Sequence, residues 1–126
     1  MDDFELISAY TRKDALDDGE LVDISEMGRE AGIRFPVAVT RAVWTSCVKL
    51  SPAAERAPND EPGRLWDLVW MLSLACRGPR GNSSVVEYEL SCVTKSESPS
   101  LVRLKAHIGP GDDGAPVITV MFPEED

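Results

Sequence analysis

The fold is predicted by residues 86–92, which read VEYELSC and alternate apolar with polar side chains. An alternation of period two is typical of a strand with one buried face. The pattern recurs over residues 102–108, VRLKAHI, and in a third inward set that ends at Phe122. Short, turn-rich loops separate the three segments, over 96–100 and 109–116. The sequence therefore predicts a three-stranded antiparallel meander at the C-terminal end.

Charges on the solvent face of the predicted meander support this strand pairing. Glu87 and Glu89 alternate outward on the first strand, and Arg103 and Lys105 alternate outward on the second. Opposite charges that face each other across antiparallel strands stabilise the pairing by about 0.2–1 kcal/mol each. We therefore expect these two strands to be neighbours.

Two short helices are predicted near the N-terminus. Thr11 and Asp14 form a capping-box pattern at the start of a helix over 12–18, and a glycine follows its end. Ser25 is expected to cap a second short helix over 26–31.

Two further helices are predicted before the meander. Pro36 suits the first turn of a helix over 36–49, and the proline-rich stretch 51–63 is expected to be a loop. Residues 64–77 are apolar nearly all round, which predicts a central, fully buried helix. Residues 21–24 are extended and can add a strand to the sheet. The predicted class is α+β, with the N-terminal and central helices packed on one face of the three-stranded sheet.

Length and composition predict one cytoplasmic domain that spans residues 1–126. Two independent cores within 126 residues would each be too small to be stable. No apolar run approaches the ~20 residues that a membrane span requires, and the acidic start lacks the features of a secretory signal. The lone His107 and three widely spaced cysteines predict neither a metal site nor a cofactor, and we expect the cysteines to be buried.

Negative charge is concentrated at the N-terminal end. Residues 1–31 hold ten acidic and three basic side chains, whereas the remaining 95 residues hold twelve and ten. This charge disfavours direct nucleic-acid binding and makes a basic protein surface the expected partner. The candidate partner-binding residues are the carboxylates of Asp14, Asp17, Asp18, Glu20, Asp23, Glu26 and Glu30. The alternative is an acidic face that only keeps the protein soluble.

The placement of three aspartates in the first predicted helix favours the partner-binding interpretation. Asp14, Asp17 and Asp18 share one helical face, where like charges repel. Asp17 and Asp18 also fall at the negative end of the helix dipole. An arrangement that disfavours the helix is expected to serve a partner rather than the fold.

No constellation of catalytic residues is evident, so a non-catalytic protein is expected. His107 is predicted on the polar face of a strand, away from a nucleophile. One enzyme alternative remains: Tyr10, Thr11 and Arg12, followed by a short helix and a glycine, resemble the start of ADP-ribosyltransferase-like domains. A small nucleotide-modifying enzyme of this type would use Glu20 or Glu26 as its carboxylate.

Self-association is a third alternative, and both a monomer and a homodimer remain open. The apolar stretch 65–76 or a free strand edge would form the interface. Trp66 and Trp70 lie four residues apart and share a helical face, so one of them is expected to anchor a partner if that face is not fully covered.

Residues 6–12, 15–25 and 29–44 resemble the N-terminal signature of a family of small proteins of unknown function. Members of that family are carried on phages, plasmids and integrative elements. The resemblance implies a setting in which small acidic proteins act against host defence, among them anti-CRISPR and antirestriction proteins that mimic DNA. It implies a CRISPR or restriction component as the partner.

Overall fold

The computed structural model describes residues 10–56, 60–78, 83–94 and 98–125, and these residues build one sheet with helices on both faces. The strands are β1 (Leu21–Asp23), β2 (Val37–Thr40), β3 (Val85–Cys92), β4 (Ser100–Pro110) and β5 (Pro116–Met121). Their order in the sheet is β1-β2-β5-β4-β3. Neighbouring strands are antiparallel except β2 and β5, which run parallel.

The described helices precede β1 or connect the strands. They are α1 (Arg12–Asp18), α2 (Ser25–Glu30), α3 (Arg41–Val43), α4 (Pro52–Glu55) and α5 (Glu61–Arg77), and a π-helical turn, Trp44–Val48, continues α3. The short α4 lies within the segment 51–63, which the sequence predicted as a loop. Within the described part of the chain, no helix combines the length and the apolar character needed to cross a membrane.

The predicted C-terminal meander is confirmed as β3, β4 and β5. On β3 the buried side chains are those of Val86, Tyr88, Leu90 and Cys92, with exposed residues between them. Leu104 and Ala106 on β4 are fully buried, and Ile118 and Val120 on β5 complete this face. The period-two pattern therefore identified the core face of these three strands.

The predicted register between β3 and β4 is also confirmed. Glu87 pairs with Lys105, and Glu89 pairs with Arg103. Among the described residues no ion pair closes between these side chains, so the charges face each other without direct contact.

The predicted helix over 36–49 is wrong in its first part, because residues 37–40 form the strand β2. Val37 and Val39 have 0% exposure, and branched side chains of this kind fit a pleated, buried strand. Val37 pairs with Ile118 of β5, and β1 pairs along the other side of β2. The sheet is therefore five-stranded and mixed, and not a three-stranded antiparallel sheet.

The prediction that the helices pack on one face of the sheet is also wrong. On the core face α2 comes close enough that Gly28 packs against Val37. On the opposite face lies α1, whose Arg12 guanidinium donates a hydrogen bond to Thr119, a side chain that alternates away from the core. Only Ala15 of α1 is buried. Because α1 is short, the described residues leave much of this second sheet face uncovered.

The ends of α1 follow the prediction, whereas the start of α2 does not. Thr11 and Asp14 form both hydrogen bonds of the capping box, and Gly19 ends α1 with a φ of 85°. Ser25 is the first residue of α2 and does not cap it, because its hydroxyl donates to Asp23 instead.

The longest helix, α5, is not buried on all sides as predicted. It begins at Glu61, where the side chain of Asp60 caps it. Leu68 and Leu72 have 0% exposure, whereas Leu74 is exposed. The helix forms an outer layer over the sheet, so only one of its two apolar sides meets the core.

Candidate functional site

The seven predicted partner-binding carboxylates surround one edge of the sheet, which we call the acidic edge. They are Asp14, Asp17 and Asp18 in α1, Glu20 just after it, Asp23 in β1, and Glu26 and Glu30 in α2. All seven residues are exposed. Because β1 is a terminal strand with α1 on one side and α2 on the other, the carboxylates extend around this edge. Asp2, Asp3 and Glu5, which belong to the same concentration of charge, lie outside the described residues.

A distant carboxylate holds the first turn of α1 in place. The two oxygens of Asp112 accept hydrogen bonds from the backbone N–H groups of Arg12 and Lys13, each at 3.0 Å. These bonds lower the pKa of Asp112. The Arg12 side chain adds bonds to Thr119 Oγ1 at 2.6 Å and to the Ile118 carbonyl at 3.0 Å. The sequence analysis missed this anchor, because Asp112 lies in the turn between β4 and β5, 100 residues from Arg12.

Local contacts explain the three aspartates of α1. Asp14 accepts from the Thr11 backbone N–H at 3.2 Å in the capping box, and Asp17 pairs with Lys13 at 2.8 Å. Asp18 accepts hydrogen bonds from the Tyr10 hydroxyl and from a backbone N–H. The Tyr10 contact lowers the pKa of Asp18 and raises that of Tyr10 to about 12. The unfavourable dipole position of these residues therefore does not by itself indicate a partner.

The remaining carboxylates of the acidic edge differ in how firmly they are held. Asp23 accepts from the backbone N–H and the hydroxyl of Ser25, at 3.0 and 2.5 Å. Glu20 forms an ion pair with Arg41. Within the described part of the chain, the side chains of Glu26 and Glu30 form neither hydrogen bonds nor ion pairs. Four of the exposed carboxylates therefore accept no hydrogen bond from a backbone N–H group: those of Asp17, Glu20, Glu26 and Glu30.

A groove of about 820 Å³ opens on the sheet face that α1 leaves uncovered. Its lining includes Tyr10 and Glu20 from the α1 side and Lys105 and His107 from β4. Tyr10 and Glu20, two of the residues proposed for a nucleotide-modifying enzyme, therefore line the same groove. The others do not, since Thr11 and Arg12 cap and dock α1, and Glu26 lies in α2 beyond β1.

The thiols behave mainly as core side chains. Cys47 and Cys92 are buried, as predicted, and Cys76 is half-buried. The contact between these two thiols lowers the pKa of Cys92, as does the nearby Arg64 guanidinium, whereas the same contact and burial raise the pKa of Cys47. No histidine stands beside this pair. Across residues 10–56, 60–78, 83–94 and 98–125, no cluster of three metal-ligating side chains occurs.

Comparison with known protein families gives a match over the whole chain. The chain matches, over residues 1–126, a family described as a family of unknown function (DUF6573). No curated protein and no solved structure matches the chain. The match agrees with the predicted resemblance to a family of unknown function, and it carries no information on mobile elements or host defence.

Proposed function

Because the chain belongs to a family of unknown function, its role has to be inferred from its own surfaces, and we propose that it is a non-catalytic binding protein. Its acidic edge occupies a basic, nucleic-acid-binding surface of a partner protein. In the mobile-element setting that the sequence suggests, this partner is a cytoplasmic CRISPR or restriction component of the host.

The observation that carries the proposal is the exposure of all seven predicted carboxylates on α1, β1, α2 and the turn between α1 and β1. Outside residues 1–31 the chain is close to neutral, with twelve acidic and ten basic side chains. A surface of one sign attracts a surface of the opposite sign, speeds encounter and selects the partner. Such a surface also competes with nucleic acid for the same basic groups.

The first experiment is a capture from lysates of bacteria that carry a CRISPR or restriction system, at low and at high salt. The expected result is a basic, DNA-binding protein that is retained at low salt and released at high salt, because salt screens exposed ion pairs. Added protein should displace duplex DNA from the captured partner. A captured protein that still binds DNA normally would contradict the proposal.

The partner-binding role of the acidic edge is tested at the carboxylates that accept no hydrogen bond from the backbone, because neutralising them leaves the fold intact. A variant carrying Asp17→Asn, Glu20→Gln, Glu26→Gln and Glu30→Gln, here the edge variant, removes four charges and keeps the shape of each side chain. Each exposed ion pair contributes only a fraction of a kcal/mol, but the losses add. Removal of four charges is therefore expected to weaken binding of the captured partner by about 30-fold. Isothermal titration calorimetry measures this difference.

A matched variant controls for net charge. The substitutions Glu55→Gln, Glu87→Gln, Glu89→Gln and Glu124→Gln also remove four exposed negative charges, but from residues outside α1, β1 and α2. The affinity of this variant for the captured partner is expected to stay within about threefold of that of the natural chain, since salt screens charges that are distant from the interface. Equal losses in both variants would show that only net charge matters and that the acidic edge is not the site.

The open groove favours a second candidate function, a small nucleotide-modifying enzyme. It brings Tyr10 and Glu20 together with His107, the one imidazole of the chain. Thermal unfolding with and without a nicotinamide nucleotide tests this candidate. A rise in the unfolding temperature that Glu20→Gln abolishes would support it, and the absence of a shift would reject it.

A further inference from the structure

The outer side of α5 carries an apolar stripe that no described residue covers. Its large side chains are Trp66, Trp70, Met71 and Leu74, with 36%, 39%, 37% and 43% of their surface exposed. Positions 67, 70, 74 and 77 follow the spacing of one helical face, so Asp67 and Arg77 lie on the same side of α5 as Trp70 and Leu74. Contiguous apolar surface of this kind on a small protein marks an interaction site.

The stripe is ordered rather than a set of isolated side chains. The rings of Trp66 and Trp70 stack, with centroids 5.7 Å apart and an angle of 16° between their planes. The Arg77 guanidinium lies 5.9 Å from the centre of the Trp70 ring. Beside Arg77 a cavity of about 300 Å³ opens, lined in part by Phe35 and Cys76. A preformed aromatic surface loses little side-chain entropy on binding.

The order of the side chains makes the stripe complementary to itself. When two copies of α5 run antiparallel with Trp70 against Leu74 of the partner subunit, Asp67 lies at the level of Arg77 of the partner subunit. Two-fold symmetry repeats both contacts, so each dimer contains two apolar contacts and two pairs of opposite charge. In a parallel arrangement like charges would meet instead.

We propose that the occupant of this stripe is a second copy of the chain, which pairs through α5 in an antiparallel homodimer. The same register places Trp66 within one residue of the level of Arg77 of the partner subunit, next to the cavity beside that residue. Trp66 therefore has both a cation and an apolar opening to contact. The dimer leaves the carboxylates of α1 free, because α1 lies on the opposite face of the sheet from α5.

Light scattering during gel filtration tests the dimer. The natural chain is expected to show twice the mass of 13.8 kDa at micromolar concentration, and Leu74→Lys is expected to show 13.8 kDa. Leu101→Lys is the matched control, since Leu101 is 67% exposed on β4, away from α5. Trp66→Gln provides a second interface variant, and circular dichroism checks that each variant folds.

Charge exchange tests the antiparallel register. Asp67→Arg and Arg77→Asp are each expected to weaken the dimer about tenfold, because symmetry counts each change twice. The variant carrying both substitutions restores the opposite pairing and is expected to regain most of the affinity. A mass of one chain at all concentrations, a dimer that survives Leu74→Lys, or a double variant weaker than both single variants would overturn the proposal.

Discussion

At the residue scale, Asp112 determines where the acid-bearing helix lies. α1 has seven residues and only one buried side chain, so its own packing is a weak source of stability. At the positive end of the α1 dipole, Asp112 accepts hydrogen bonds from two backbone N–H groups. The Arg12 side chain connects the same helical turn to β5. The carboxylates that we assign to partner binding are therefore positioned by a residue at the other end of the chain.

The pH dependence of stability tests this role of Asp112. The pKa of Asp112 is lower in the folded chain than the ordinary value near 4. The contribution of ionised Asp112 to the free energy of unfolding is therefore complete above that ordinary value and is lost as the pH falls through the folded pKa. Asp112→Asn should lower the urea midpoint at neutral pH, and the difference from the natural chain should shrink as the pH falls below the ordinary carboxyl pKa. A difference that stays constant with pH would show that ionised Asp112 does not stabilise α1.

At the scale of elements, α5 combines two apolar sides with different roles. Its inner side supplies Leu68, Val69 and Leu72 to the core, and its outer side supplies the stripe around Trp70. The helix is also tied down at its start, where the buried Arg64 donates to the carbonyls of Val48 and Val93. This anchoring fixes which apolar side faces the sheet.

Truncation of one leucine on each side of α5 tests this division. Leu72→Ala opens a cavity in the core and is expected to reduce the free energy of unfolding by about 2–5 kcal/mol. Leu74→Ala is expected to stay within about 0.5 kcal/mol in solutions dilute enough to keep the chain monomeric. Urea unfolding measures both, and comparable losses would mean that the outer side is buried within the single chain.

At the scale of the whole molecule, the two proposed interactions differ in their dependence on salt. Salt weakens the binding of a partner to the acidic edge because it screens the ion pairs. Two chains of net charge −9 repel each other, so screening of this repulsion does not weaken an apolar dimer between them. A dimer would present two acidic edges, which adds avidity toward a partner with two basic sites.

Independence of the two surfaces is the corresponding prediction. The edge variant, with four carboxylates neutralised, is expected to keep the mass of the natural chain in light scattering. Leu74→Lys is expected to keep the affinity of a single chain for the captured partner in calorimetry. Loss of both properties in either variant, with the fold intact, would indicate one shared surface.

The sequence by itself determined the local features of this protein. The capping box at Thr11, the glycine end of α1 and the alternation and register of β3 and β4 all follow from neighbouring residues, so their patterns are readable along the chain. The concentration of acidic side chains before residue 31 is likewise a property of the sequence. The role of these acidic side chains stays a prediction.

Only the tertiary structure decided which elements meet. Residues 37–40 fit a helical stripe as well as a strand, and they become an interior strand because β5, from the far end of the chain, pairs beside them. The apolar pattern of α5 does not distinguish its two sides, and the sheet buries only one of them. Asp112 holds α1 across a separation of 100 residues. Contacts of this kind leave no periodic signal, because they depend on how distant segments pack and not on the spacing of neighbours.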